Sequence, residues 1–235
     1  MKKFFTLIAA VAMAASVNAQ ASYVTSDADE KIAAGTTLID DAGLGINVKT
    51  VYDSDVSKDA VTVAGKSFTA RFNLRIDSNL DDSNPVGTKK DGSTPLVVTA
   101  TKNVDLTIYG RRQKGSNGFD ENDNKDMLMI NQSNVKTNLT AKEYVVEEIT
   151  EGKDAGNYAN FKKTYSLEPG TYTVYRKGST MGVFAIEAAA GAATGISFVE
   201  AAASAKQGKT YNIAGQEVSS SYKGLVIKNG KKYVK

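Results

Sequence analysis

Apolar residues recur at every second position through much of this chain, and that period constrains its fold more than any other feature. Residues 66–76 read KSFTARFNLRI, which sets Phe68, Ala70, Phe72, Leu74 and Ile76 on one face. Residues 103–109 read NVDLTIY, with Val104, Leu106 and Ile108 inward and Asp105, Thr107 and Tyr109 outward. Residues 171–176 and 182–187 repeat the pattern in shorter form. Alternation over such lengths, rich in β-branched and aromatic residues, is the mark of a half-buried strand. Further strands are expected at 46–52, 96–101, 127–130, 143–149 and 158–167, with Gly, Asn, Asp and Ser clusters between them that accept turn geometry. Roughly nine strands and no long amphipathic helix predict an all-β, antiparallel sandwich of the jelly-roll kind. A short helical turn at 28–34 is the one helix expected. The stretches 77–95 and 115–125 read as long polar loops, which inside compact domains often carry function.

The two ends of the chain differ from this middle. Residues 1–19, with Lys2 and Lys3 ahead of an apolar run and Val17-Asn18-Ala19 before Gln20, have the order of a secretory signal peptide. The apolar run is too short to cross a hydrocarbon layer of ~30 Å, and no other segment reaches spanning length, so export without a membrane span is expected. The product would lie in the periplasm, on the cell surface or outside the cell. Its remaining ~215 residues suffice for one domain with a sizeable core and an appendage. The chain has no cysteine, so neither disulfides nor a lipid-bearing thiol is available and burial must hold the fold together. The expected division is a sandwich at 22–190, an Ala-rich linker at 191–209 and a short C-terminal β appendage at 210–235.

Composition removes several functions. Histidine is absent along with cysteine, so a serine–histidine–acid triad, a thiol nucleophile and His- or Cys-ligated zinc are not built. Gly43, Gly45 and Gly65 fit no phosphate-binding spacing. Paired carboxylates remain conceivable among the 26 Asp and Glu residues, but no pair stands out, and the expectation is a protein without enzymatic activity. A net charge of +3, with lysines and acids interleaved, lacks the concentrated basic face of a nucleic-acid binder. The exception is the tail, where Lys223, Lys228, Lys231, Lys232 and Lys235 cluster.

Residues 211–218, YNIAGQEV, followed by 223–235, KGLVIKNGKKYVK, resemble the C-terminal segment of many exported proteins of Bacteroidota-type bacteria, related to type IX sorting domains. The physical content is strand, Gly215 turn, strand, and an Asn229-Gly230 hairpin into a last strand. The segment is about half the usual size of such a domain. The resemblance implies contact with export machinery. The alternative is that these strands complete the sandwich.

More loosely, residues 103–112 (NVDLTIYGRR), 163–174 (KTYSLEPGTYTV) and 177–186 (KGSTMGVFAI) resemble galactose-binding-like β-sandwich modules of secreted polysaccharide-degrading proteins. This resemblance implies a jelly-roll sandwich and a glycan or polysaccharide partner. Sugar faces pack on aromatic rings while hydroxyls bond planar polar groups. Candidate ligand contacts are Tyr109, Arg111 and Arg112 at a strand end, Asn117 in the next loop, and Tyr158 and Tyr175 on later strands. Tryptophan, the strongest stacking residue, is absent.

The sequence requires no cofactor. Asp120, Asn122, Asn124 and Asp126 nevertheless place oxygen donors at alternate positions, as a structural calcium loop does, although Lys125 and Asn131 break EF-hand spacing. A solvated polar loop is the other reading. The function expected is a non-catalytic carbohydrate-binding module, with a structural or adhesive surface protein binding protein partners as the alternative.

Overall fold

The computed structural model describes residues 20–78, 80–120, 128–131, 139–177, 179–191, 210–212, 218, 222–228 and 231–234. Among them every regular element is a β-strand, so the chain is all-β, as the alternation predicts. It divides into two compact units, Met1–Ala192 and Ala193–Lys235.

In the first unit the strands are β1 (Gln20–Val24), β2 (Lys31–Ile32), β3 (Thr37–Asp41), β4 (Ile46–Thr50), β5 (Ser54–Val63), β6 (Lys66–Leu74) and β7 (Leu96–Ala100). They continue with β8 (Val104–Gln113), β9 (Leu128–Asn131), β10 (Glu143–Glu148), β11 (Tyr158–Leu167), β12 (Gly170–Tyr175) and β13 (Met181–Ala190). An eight-stranded sheet runs β10-β11-β8-β13-β6-β5-β2, with β1 beside β13, and a five-stranded sheet runs β3-β4-β7-β12-β9. The named strands pair antiparallel throughout.

The core lies between the sheets. Leu106, Ile108, Phe161, Tyr165, Phe72 and Ile186 of the larger sheet meet Val48, Leu96, Val98, Tyr172 and Val174 of the smaller one, all essentially sealed from water. Burial of side chains this size contributes roughly 1.5–3 kcal/mol each, and no covalent staple is present. Alternation puts these residues inward because a strand's side chains change face at each step.

The expected strands at 46–52, 66–76, 96–101, 103–109, 127–130, 143–149, 158–167, 171–176 and 182–187 are all present, with β8 and β13 running longer than expected. Residues 28–34 are a correction. The helical turn expected there is replaced by β2, where Ile32 is buried and pairs with Ser54 of β5. Tertiary pairing overrides a weak local preference. Strands β1, β3 and β5 were not foreseen. Of the expected segments, 1–19 and 192–209 lie outside the described residues, as do Asn229 and Gly230.

Strand β13 explains how the larger sheet branches. Its Met181–Val183 stretch pairs with β6, its Ala185–Ala189 stretch pairs with β1, and its other side stays on β8. A bulge between Val183 and Ala185 marks the change of partner. Beyond it the β5–β6 hairpin packs on the outer face of the larger sheet. Phe68 stacks on Phe184 and tilts against Tyr109, at ring-centroid distances of 5.6 and 5.4 Å. Val63 and Ala185 complete this second, smaller core.

The second unit holds a three-stranded antiparallel sheet, β14 (Thr210–Asn212), β15 (Leu225–Lys228) and β16 (Lys231–Val234), in that order.

Candidate functional site

Strand β8 sorts its residues by parity. Val104, Leu106 and Ile108 face the main core, so Gly110 and Arg112 share their face, while Tyr109, Arg111 and Gln113 lie on the outer face. The register with β11 sets Asn160 opposite Arg111 and Tyr158 opposite Gln113. Arg111, Asn160 and Tyr158 are therefore neighbours on one outer surface.

Two further elements bring carboxylates to this surface. Strand β5 carries one extra residue between Lys58 and Val61 relative to β6, a bulge of the kind that re-aims a side chain. Asp59 sits in that bulge and reaches Arg111 Nη1 and Arg71 Nε, each at 2.9 Å. Asp154, in the turn before β11, lies 3.4 Å from Arg111 Nη1. Arg111 Nε donates to Asn160 Oδ1 at 3.1 Å, and Arg71 Nη1 to Asn73 Oδ1 at 3.1 Å. The resulting run Asn73–Arg71–Asp59–Arg111–Asp154 is half-buried, and Asn160 beside it is buried. Arg111 keeps 15% and Asp154 28% of side-chain exposure, so the cluster is both organised and reachable from solvent.

Tyr109 belongs to the same face yet is covered. Its ring lies under Phe68 and 5.2 Å from Lys66 Nζ, and its hydroxyl donates to Glu187 Oε2 at 3.1 Å. Burial, then the Glu187 charge, pushes the Tyr109 phenol up. Burial alone would lower Lys66, but its contact with Glu187 and the Tyr109 oxygen outweighs that and raises it. Lys66 and Glu187 thus clamp the hairpin over Tyr109.

Three expected ligand contacts prove to be enclosed. Tyr109 is covered by the hairpin, a packing that no local pattern announces. Arg112 points into the domain with no exposure, because adjacent strand residues face opposite ways. There its Nη1 donates to the Tyr144 hydroxyl at 2.8 Å and to the Asp120 carbonyl at 3.0 Å, and its guanidinium lies over Phe119. Tyr175 lies on the smaller sheet, packed with Ile76 and Leu80, where burial raises its phenol. Arg111 and Tyr158 are brought together; Asn117 is exposed in the loop after β8. Sequence reasoning missed Asp59, Arg71, Asp154 and Asn160. Asn160 could have been found from its parity with Tyr158, whereas Asp59 depends on a bulge in an unforeseen strand.

Of the expected calcium donors, Asp120 is exposed and lends its carbonyl to Arg112, while Asn122, Asn124 and Asp126 lie outside the described residues. Among the described residues no cluster of three or more acidic side chains has metal-binding geometry, and no helix is long and apolar enough to cross a membrane. No protein-family model matches the chain, and no curated protein matches it significantly.

Proposed function

We propose that this chain is an exported, non-catalytic β-sandwich module that binds a glycan on the outer face of its larger sheet. The observation that carries the reading is the half-buried cluster of Arg111, Asp59 and Asp154, flanked by buried Asn160 and by Tyr158. Guanidinium, carboxylate and carboxamide groups held side by side offer the alternating donors and acceptors that vicinal hydroxyls need. Their mutual ion pairs fix the geometry in advance, which lowers the ordering cost of binding. Tyr158 supplies the adjacent ring face. The basic C-terminal segment is assigned to contact with export machinery on the strength of its resemblance.

Glycan-array binding of the full chain, with and without calcium, tests this. Selective binding lost in Arg111→Ala and Tyr158→Ala is expected. Silence across plant, host and microbial glycans from a folded sample overturns it. The alternative, a structural or adhesive role, is favoured by a separate observation: β10 ends the larger sheet with Val145 exposed.

A further inference from the structure

Of the strands that end a sheet among the described residues, two have complementary sequences. Strand β10 closes one side of the eight-stranded sheet and reads EYVVEE, with Glu143, Val145, Glu147 and Glu148 spread along it. Val145 is 36% exposed, and Glu147 and Glu148 are exposed. Strand β16 closes one side of the three-stranded sheet and reads KKYV, with Lys232 exposed and Val234 82% exposed. Exposed edges are normally blunted by like charges, and Lys and Glu serve that purpose. Here the two edges carry opposite signs.

Antiparallel pairing of β16 with β10 in one register sets Lys232 opposite Glu147 and Val234 opposite Val145. The same register sets Lys231 opposite Glu148 and Tyr233 opposite Val146. Ion pairs would then meet ion-pair partners and apolar residues apolar ones at every position. A shift by one residue keeps Lys232 opposite Glu148 and Val234 opposite Val146, but it sets Tyr233 opposite Glu147 and carries Lys231 past the end of β10. Opposite charges and β-branched pairs across strands each contribute roughly 0.2–1 kcal/mol, and like charges cost as much. Glu147 already accepts the Ala64 N–H through Oε1 at 3.0 Å. That contact holds the side chain in place and leaves Oε2 for a cation.

We propose that β16 of one molecule adds to β10 of a second copy of this chain, extending its larger sheet. The occupant is a second copy because the complementary strand is present in the same sequence, in a register that sets both lysines of β16 opposite glutamates. The contact joins two different surfaces, so it propagates head to tail. Main-chain bonds supply the attraction and the charge pattern supplies the register, as in other strand-addition complexes. The inference does not rest on the glycan reading, since it uses neither Arg111 nor Tyr158.

Sedimentation velocity on the full chain, over micromolar to millimolar concentrations and at low and high salt, tests it. Reversible association that weakens with salt is expected. Lys231→Glu/Lys232→Glu should weaken self-association by about tenfold or more, and so should Glu147→Lys/Glu148→Lys. Mixing the two variants should restore association, because each then meets a matched edge on the other. All four positions are on sheet edges, and circular dichroism melts check that both variants fold. A chain monomeric at every concentration overturns the proposal, and so does association that ignores both reversals or is not restored by mixing. A change in sedimentation with charge reversal but without concentration dependence places the pairing within one chain and equally overturns it.

Discussion

Arg111 and Arg112 are neighbours in sequence and lie on opposite faces of β8. Arg111 joins two carboxylates and Asn160 at the outer surface, while Arg112 is sealed inside against Phe119 and Tyr144. Their substitutions should therefore separate. Arg112→Ala removes a buried guanidinium, orphans its acceptors and opens a cavity, at an expected cost of roughly 2–4 kcal/mol. Arg111→Ala should cost less, about 1–2 kcal/mol, because Asp59 keeps Arg71 as a partner and the other groups left behind are partly open to water. Urea denaturation of both variants reads the difference. Equal losses would mean that the two side chains do not differ in environment.

That pair also shows what could be read in advance. Alternation in residues 66–76 and 103–109 gave the strands and the main core, because burying one face of a sheet demands a period of two. The same rule puts Arg111 and Arg112 on opposite faces, so the separation was legible and only the assumption of a shared site was not. The cover over Tyr109 was illegible. It depends on where β5–β6 goes after leaving β13, a long-range packing decision taken at a bulge. Residues 54–63 read SDVSKDAVTV, whose alternation is interrupted by the extra residue near Asp59, and so the strand that delivers Asp59 left no periodic signal.

The second core gives a graded prediction. Phe184→Ala empties the centre of the Phe68–Tyr109–Phe184 cluster and should cost roughly 3–4 kcal/mol. Tyr109→Phe keeps the ring and loses the hydroxyl's contacts with Glu187 and Lys66, for about 1 kcal/mol. Thermal melts of the two variants give the ratio. A Phe184→Ala loss no larger than that of Tyr109→Phe would show that the hairpin is not held by this cluster.

Gly110 is intolerant of a side chain for a reason of space alone. A Cβ there would stand 2.5 Å from the Gly182 carbonyl oxygen and 2.6 Å from the Phe161 ring. The carbonyl is backbone in the neighbouring strand and cannot turn aside. Gly110→Ala should destabilise by roughly 1–3 kcal/mol. Pairing it with Phe161→Leu should recover only part of the loss, because the strand contact remains; full recovery in denaturant would assign the clash to the ring.

Acid stability should depend on Asp53. Hydrogen bonds from Lys31, then Lys89, hold its carboxyl well below the usual carboxylate range, tying β2 to the loop before β7. A carboxylate depressed in the folded state adds stability above its unfolded pKa of ~3.9 and loses it as pH falls toward the folded value. Asp53→Asn should be the less stable protein at neutral pH and converge with the parent in acid. Added salt should shrink the gap, since the group is near the surface. A difference constant across the pH series would exclude the ion pair as its source.

At the alkaline end the group to replace first is Tyr23, on β1. Burial, then the Asp29 charge, raises its phenol to about 12, against a smaller opposing hydrogen bond with Thr25. The unfolded chain ionises near ~10, so this tyrosine contributes stability in full below that pH and loses it as pH climbs toward the folded value. Tyr23→Phe cannot ionise and should lose less stability between neutral pH and the alkaline range than the parent does. Because Tyr23 packs edge-on against Phe72 at 6.4 Å, the Phe variant keeps the ring contact and isolates the hydroxyl. Absorbance titration of the phenolates should show one fewer late-titrating group in the variant. Parallel loss of stability in both proteins across that window would place the alkaline limit elsewhere, with Tyr109 and its Glu187 contact the next group to replace.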